Sequence, residues 1–291
     1  MKHGRITPYL FVVPMIVGLF VFRLGPVAVA GLASFTRWNV QTPPRFLGLS
    51  NYSEAISSQT FWLVFKNTVV FSFIFVPGVM VLALLMAVMV NQKLRGIAFF
   101  RGLYFMPYIT AMVAVAMAWN WIFATRFGVL NYFLKTFLHI SNPPAWLADR
   151  TWALPALAIV SIWKQAGFQM LIFLAGLQGI PHSLYDAAAI DGANRRDQFF
   201  KITLPLLSPI TFFVFVITLI EAFRTFEVTF AMTGGGPSNA STTLAFYIYQ
   251  NAFVYGRMGF ASALALLLLV FVALATLLSF KMKNRWVEYA L

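Results

Sequence analysis

Apolar runs of about 20 residues or more recur from one end of this chain to the other, at about 9–36, 67–91, 103–124, 152–178, 204–231 and 259–280. Roughly 20 apolar residues in an α-helix cross a hydrocarbon core, so each run is a candidate transmembrane helix. Hydrophobic residues make up 60% of the 291 and charged residues 10%, too little polar surface to clothe such helices in water. The expected fold is all-α: an integral membrane protein with six transmembrane helices in a single domain over residues 1–291.

The first run has traits of a signal peptide: the basic stretch MKHGR, an apolar core from Tyr9 to Phe22, and Ala28-Val29-Ala30 in the manner of a cleavage site. Its apolar character continues past Arg23 to Phe35, long enough to span, so a retained helix is expected. An even number of spans then puts both termini on one side. With the N-terminus inside, the inner segments hold Lys2, Arg5, Lys93, Arg95, Arg101, Arg195, Arg196, Lys201, Lys281, Lys283 and Arg285. The outer ones hold Arg37, Arg45, Lys66, Arg126, Lys135, Arg150 and Arg257. Basic residues are retained on the cytoplasmic side. The first set is larger and sits in shorter segments, so both termini are expected in the cytoplasm.

The formal net charge of +13 would raise nucleic acid as a partner in a soluble protein. Here the basic residues punctuate the ends of apolar runs and form no patch interleaved with stacking aromatics, so no nucleic acid is expected. There is no cysteine, which excludes disulfides, thiolate metal sites and cysteine nucleophiles. His3, His139 and His182 are far apart and show no ligand spacing. Neither a metal site nor an enzyme active site is expected, because no serine elbow or paired histidines and acids are available to build one.

Between the first two runs, TPPRFLGLSNYSEAISSQTFW opens with a Pro-Pro turn and then reads as a short amphipathic helix starting near Ser50 or Asn51 on the outer surface. TGGGPSNAS, between the last two runs, is a glycine-rich break. It lacks the G-x-x-x-x-G-K-[ST] pattern that cradles nucleotide phosphate, as does the rest of the chain, so ATP hydrolysis is not expected here.

The densest polar stretch is LYDAAAIDGANRRDQFFKITLPLLSP, within a loop over about residues 179–203 and its exit into the fifth run. Gly179 and Pro181 end the fourth run. Ser183 with Asp186 three residues on has capping-box spacing, and Asp186 suits the positive end of a helix dipole. A short helix over about Leu184 to Asp191 should stop at Gly192, which most easily turns left-handed. Asn194 with Asp197 can start a second. An isolated two-turn helix is unstable in water, so something must hold it, either this chain's own spans or a partner. Ala187, Ala188 and Ala189 present a face without bulk, which permits close approach.

The stretch resembles the "EAA" motif of the membrane subunits of binding-protein-dependent ABC importers: E-A-A, three residues, G, nine residues, I-x-L-P. Asp186-Ala187-Ala188, Gly192, Ile202 and Leu204-Pro205 fill it, with aspartate for glutamate as the departure, which keeps the charge and shortens its reach by one methylene. FLGLSNYSEAI, FKNTVVFS, RGLYFMPYI and TGGGPSNASTTLAFYIYQNAF extend the resemblance over nearly the whole chain, to the carbohydrate-uptake subfamily with the maltose and glycerol-3-phosphate permeases. TGGGPSNAS with YIYQNAF is more similar to the first of the two permeases in those systems. The resemblance implies a type I importer permease fold in a bacterial cytoplasmic (inner) membrane. It also implies a heterodimer with a second permease, two ATPase subunits that use ATP and magnesium, and an extracytoplasmic solute-binding protein. Asp186, Ala187, Ala188, Asp191 and Gly192 would form the coupling helix that docks on an ATPase.

Four ionisable residues fall in or near the later runs: Lys164, Glu221, Arg224 and Glu227. Each is expensive in hydrocarbon unless paired or facing water. The steps from Glu221 to Arg224 and from Arg224 to Glu227 permit a helical ion-pair ladder; a functional pathway is the other reading. Thr218, Glu221, Ala222, Thr225 and Thr229 fall on one helical face, suited to hydrogen-bonding a polyhydroxylated solute. The resemblance adds Ser161, Gln165 and Phe168 as cavity lining. Arg224 and Lys164 could meet an anionic group, and Trp119, Trp121 and Trp163 could stack on sugar rings or merely anchor the membrane interface. The function expected is import of a sugar or related polyhydroxylated solute (oligosaccharide, polyol or glycerol phosphate) by ATP-driven alternating access. The competing class is an ion-gradient-driven secondary transporter using Glu221 or Glu227, whose usual internal repeat is not evident here.

Overall fold

The computed structural model describes residues 7–92 and 95–283, with side chains from residue 11 onward. Lys2, Arg5, Lys93 and Arg285, used above to orient the chain, and His3 lie outside the described residues. Among the described residues four helices are long and apolar enough to cross a membrane: Phe11–Ala33, Gln59–Val90, Ala153–Gln178 and Met258–Lys283. Two bent pairs raise the possible total to six: Ile97–Ile109 with Met112–Ile122, at 96°, and Arg195–Leu206 with Ser208–Phe223, at 61°. Among the described residues the regular structure is helical except for a two-residue antiparallel ladder, Thr36–Arg37 with Arg45–Phe46.

The chain divides into two units. The smaller comprises Met1–Trp62 and Tyr247–Val270. Its opening helix passes through a π turn at Phe20–Leu24, where the Gly25 N–H donates to the Phe20 carbonyl. Pro26 follows directly, lacks an N–H and crowds the preceding turn, which explains the widened coil. The surface helix is Ser50–Ser57. Asn51 holds it down, its Nδ2 donating to the carbonyls of Ser34 at 2.7 Å and Thr36 at 2.9 Å. Arg257 pairs with Glu54, and Gly259 packs so tightly that a Cβ would fall on the Thr36 carbonyl.

The larger unit comprises Leu63–Phe246 and Phe271–Leu291. Phe71, Phe75, Val79, Leu157, Val160 and Ala222 form part of one buried cluster, and Ala83, Ala87, Met170, Phe173, Leu207 and Val214 part of another. Small residues let the helices approach. A Cβ at Gly167 would fall on the Tyr104 carbonyl, so Ala153–Gln178 and Ile97–Ile109 meet at backbone distance there.

Helix ends differ from the sequence expectation in informative ways. The helix Gln59–Val90 has 32 residues, about 48 Å at 1.5 Å per residue against roughly 30 Å of hydrocarbon. It starts well before residue 67 and places Lys66 in a helix rather than a loop. Asn67 and Thr68, polar enough to suggest a boundary, are buried and bonded: Asn67 donates to the Asn239 carbonyl at 2.8 Å and that of Thr242 at 3.1 Å, and Thr68 accepts from the Leu244 N–H at 2.8 Å. They fix the glycine-rich loop. The run expected at 103–124 is broken at Thr110 and Ala111, whose backbones are extended. The run expected at 204–231 ends its helix at Phe223 and restarts at Glu227–Met232.

Candidate functional site

The helix break at Thr110 exposes carbonyls that lack an intrahelical partner. Lys164 supplies one. Its Nζ donates to the Tyr108 and Thr110 carbonyls, each at 2.9 Å, and to that of Pro107 at 3.5 Å. An ammonium has three N–H bonds, so all of its donor capacity lies on this break. Tyr108, on the same break, stacks on Phe168 with ring centroids 4.7 Å apart.

Beside the break lies a cavity of about 530 Å³, within the size range of small-molecule sites. Ser161, Lys164 and Gln165 enter it from Ala153–Gln178, and Glu221, Arg224, Thr225 and Glu227 from the end of Ser208–Phe223 and the segment after it. Phe75, Tyr108, Met112, Phe226 and Val228 complete the lining. The last five were not singled out as lining in the sequence, since each reads as ordinary apolar or interfacial content of a run.

Of the ion-pair ladder that the spacing from Glu221 through Arg224 to Glu227 permits, the first step alone is made among the described residues. Arg224 caps the helix end with ψ of 2°, so the register needed for a further step is lost. Glu221 and Arg224 remain 3.9 Å apart. The expected hydroxyl face is also incomplete. Thr218 is fully buried away from the cavity, its hydroxyl donating to the Val214 carbonyl at 2.7 Å, and Thr229 is buried likewise. Thr225 does line the cavity, with its hydroxyl donating to the Glu221 carbonyl at 3.1 Å. Trp119 and Trp163 pack edge to face against each other, and neither they nor Trp121 line the cavity.

The second constellation is the elbow between the fourth and fifth runs. Its first helix is His182–Ile190, capped at Pro181, and no side chain caps it. The capping box expected from Ser183 and Asp186 is therefore not made. The fixed φ of proline suits a helix entrance, so the helix begins one residue before Ser183 and draws that residue into its first turn. At the other end the Ala193 N–H donates to the Ala188 carbonyl at 2.9 Å and the Gly192 N–H to that of Ala189 at 3.1 Å. With Gly192 at φ +83°, this is a Schellman motif. Asp186, Ala187, Asp191 and Gly192 are exposed and Ala188 partly so; Ile190 is 87% exposed.

The second elbow helix, Arg195–Gln198, starts at Asn194, whose Oδ1 accepts from the N–H groups of Arg196 and Asp197 at 2.9 and 3.0 Å. Lys201 lies 2.9 Å from Asp197 and, by donating a hydrogen bond to it, holds its carboxyl below the usual carboxylate range. A π turn at Phe199–Thr203 precedes Pro205, as one precedes Pro26. Tyr185 and Thr203 join their hydroxyls at 2.9 Å across the elbow.

The model of the family "binding-protein-dependent transport system inner membrane component" matches residues 79–285. The probable ABC transporter permease protein YesP of Bacillus subtilis is 39% identical over 99% of this chain and 94% of its own length. The sn-glycerol-3-phosphate transport system permease protein UgpA of Agrobacterium fabrum is 36% identical, covering 98% and 97%. The trehalose/maltose transport system permease protein MalF of Thermococcus litoralis is 34% identical, covering 94% and 92%. Among solved structures, a bacterial alginate ABC transporter in complex with an alginate pentasaccharide-bound periplasmic protein superposes with a TM-score of 0.83 at 23% identity, covering 98% of this chain and 96% of that one.

The chain belongs to this family of inner-membrane permease components of binding-protein-dependent ABC transporters. Membership favours ATP-driven transport over an ion-gradient mechanism centred on Glu221 or Glu227.

Proposed function

We propose that this permease forms one half of the membrane pathway of an importer for a sugar or related polyhydroxylated solute, and that His182–Ile190 is its contact with an ATPase subunit. Relatives named for trehalose/maltose and for sn-glycerol-3-phosphate transport support the solute class. In this reading each bent helix pair supplies one span, giving six, with Arg195–Gln198 standing outside the membrane as part of the elbow. Both termini and the elbow face the cytoplasm, and an extracytoplasmic binding protein delivers the solute. A second permease closes the pathway, and paired ATPases bind ATP and magnesium outside this chain.

The observation that carries the reading is the exposed small-residue helix His182–Ile190, closed by a Schellman motif at Gly192 and tied to the next membrane helix through Tyr185 and Thr203. A rigid, two-turn helix with a smooth alanine surface suits a cleft in a partner, and its tether gives a mechanical route into Ser208–Phe223, whose end carries Glu221 into the cavity. Closure of the ATPases would then move the cavity wall. Ser161, Gln165, Glu221 and Thr225 supply hydrogen-bonding groups for hydroxyls. Lys164 is occupied by three carbonyls, so Arg224 is the cation that meets an acidic group on a solute that has one.

The test is reconstitution of the chain with its co-purified partners in liposomes. ATP-dependent uptake of a sugar on addition of its binding protein supports the proposal. A chain that purifies alone and moves solute under an ion gradient without ATP refutes it.

A further inference from the structure

A second cavity, of about 690 Å³, lies at the elbow end of the larger unit, apart from the one that holds Glu221. Its cations come from two separate places, Arg101 near the start of Ile97–Ile109 and Arg195 at the start of the second elbow helix, and the imidazole of His182, at the start of the first, lies beside them. The amides of Gln92, Gln178 and Gln198 add neutral donors. Neither aspartate nor glutamate is among the lining residues. Asp197, the acidic residue nearest Arg195 in sequence, is paired with Lys201 at 2.9 Å.

Arg101 is half engaged. Its Nη2 donates to the Val90 carbonyl at 3.1 Å, closing the end of Gln59–Val90, while its Nε is buried with no hydrogen-bond partner. A buried donor left unpaired is costly, and guanidinium groups match the fork of a phosphate or carboxylate. Cationic and amide donors converging on a roomy cavity without a carboxylate describe an anion site.

We propose that this cavity binds a phosphate-bearing anion, held by Arg101 and Arg195, which bridges the end of Gln59–Val90 to the elbow. Because Arg195 belongs to the elbow and Arg101 to the membrane helices, occupancy ties the coupling segment to the membrane body and so adjusts coupling. The shared chemistry is a phosphate group; the source is either a free cytosolic anion or the headgroup of an anionic lipid.

The experiment uses the intact complex in nanodiscs. Inorganic pyrophosphate is titrated by calorimetry into complex held in phosphatidylcholine, and retained phosphatidylglycerol is counted by native mass spectrometry after incorporation into mixed phosphatidylcholine–phosphatidylglycerol discs. Arg195→Gln is expected to weaken the bound species at least about tenfold, the loss of one charge-assisted bidentate contact. Pyrophosphate binding lost in the variant identifies a free anion. Retained lipid lost in the variant identifies a headgroup. Binding of both probes that is the same in wild type, Arg195→Gln and His182→Gln overturns the proposal, as does absence of binding in all three. The two variants change exposed residues, so the test does not depend on Arg101→Gln folding.

Discussion

The hydroxyl of Tyr185 lies 2.9 Å from that of Thr203, joining the exposed helix His182–Ile190 to the π turn that leads into Leu204-Pro205. This bond links the two arms of the elbow side chain to side chain; under the proposed coupling role, a displacement of the first helix would pass through it to the membrane helix. Replacing Tyr185 with phenylalanine removes the bond and little else. Its loss costs about 0.5–1.5 kcal/mol. ATP hydrolysis by the complex is expected to persist while solute moved per ATP falls, measured by paired uptake and phosphate-release assays in liposomes.

Gly192 tests the elbow differently. No atom stands within 4 Å of a Cβ placed there, yet its φ is +83°, so only backbone strain opposes substitution. Gly192→Val should cost about 1–2 kcal/mol from the left-handed conformation and abolish coupled transport with membrane insertion intact. Gly192→Asn, which tolerates that conformation, should retain most uptake. Equal behaviour of the two variants would remove the conformational account.

Lys164 and Glu221 line one cavity but are expected to fail in different ways. Lys164→Met leaves the Tyr108 and Thr110 carbonyls at a helix break without their donor, while that of Pro107 keeps the Thr110 N–H, and an unpaired group costs up to about 1–3 kcal/mol where it is buried. The amount of assembled protein should fall. Glu221→Ala removes an exposed carboxylate from the wall, so assembly should hold while the KM for uptake rises. Expression in membranes and uptake kinetics separate the two.

Gly167→Ala places a methyl against the Tyr104 carbonyl, where the contact is backbone to side chain and cannot be relieved by a rotamer change. Overpacking of this kind costs about 1–3 kcal/mol. A lower unfolding midpoint of the purified complex is expected, with helix Ile97–Ile109 shifted from Ala153–Gln178.

These residues also mark what could be read from the sequence. Gly192 and Asn194 were legible because left-handed helix stops and N-caps are set by a residue and its neighbours within one turn. The cap falls at Pro181 rather than Ser183 because two signals compete two residues apart, and the fixed φ of proline prevails. The break at Thr110 lies in an unbroken apolar run, and the group that satisfies it, Lys164, is 54 residues away from Thr110. No local pattern announces that pairing. Asn67 and Thr68 bond partners more than 170 residues distant, pairings that no local pattern announces either. The cavity was half legible for the same reason: polar residues stood out in an apolar chain, whereas Thr218 and Thr229 satisfied the helical spacing but lie past a change in helix direction or inside the core.

The docking of His182–Ile190 on an ATPase subunit is tested most directly by crosslinking. The chain has no cysteine, so Ala187→Cys introduces a single thiol on its exposed face. In the assembled complex, a short crosslinker with a maleimide at one end and a photoreactive diazirine at the other is expected to join position 187 to an ATPase subunit, whereas Ser57→Cys on the surface helix gives no such product. Absence of an ATPase adduct at position 187 in complexes that still hydrolyse ATP, or labelling of that position by a membrane-impermeant maleimide from outside intact cells, would contradict the account.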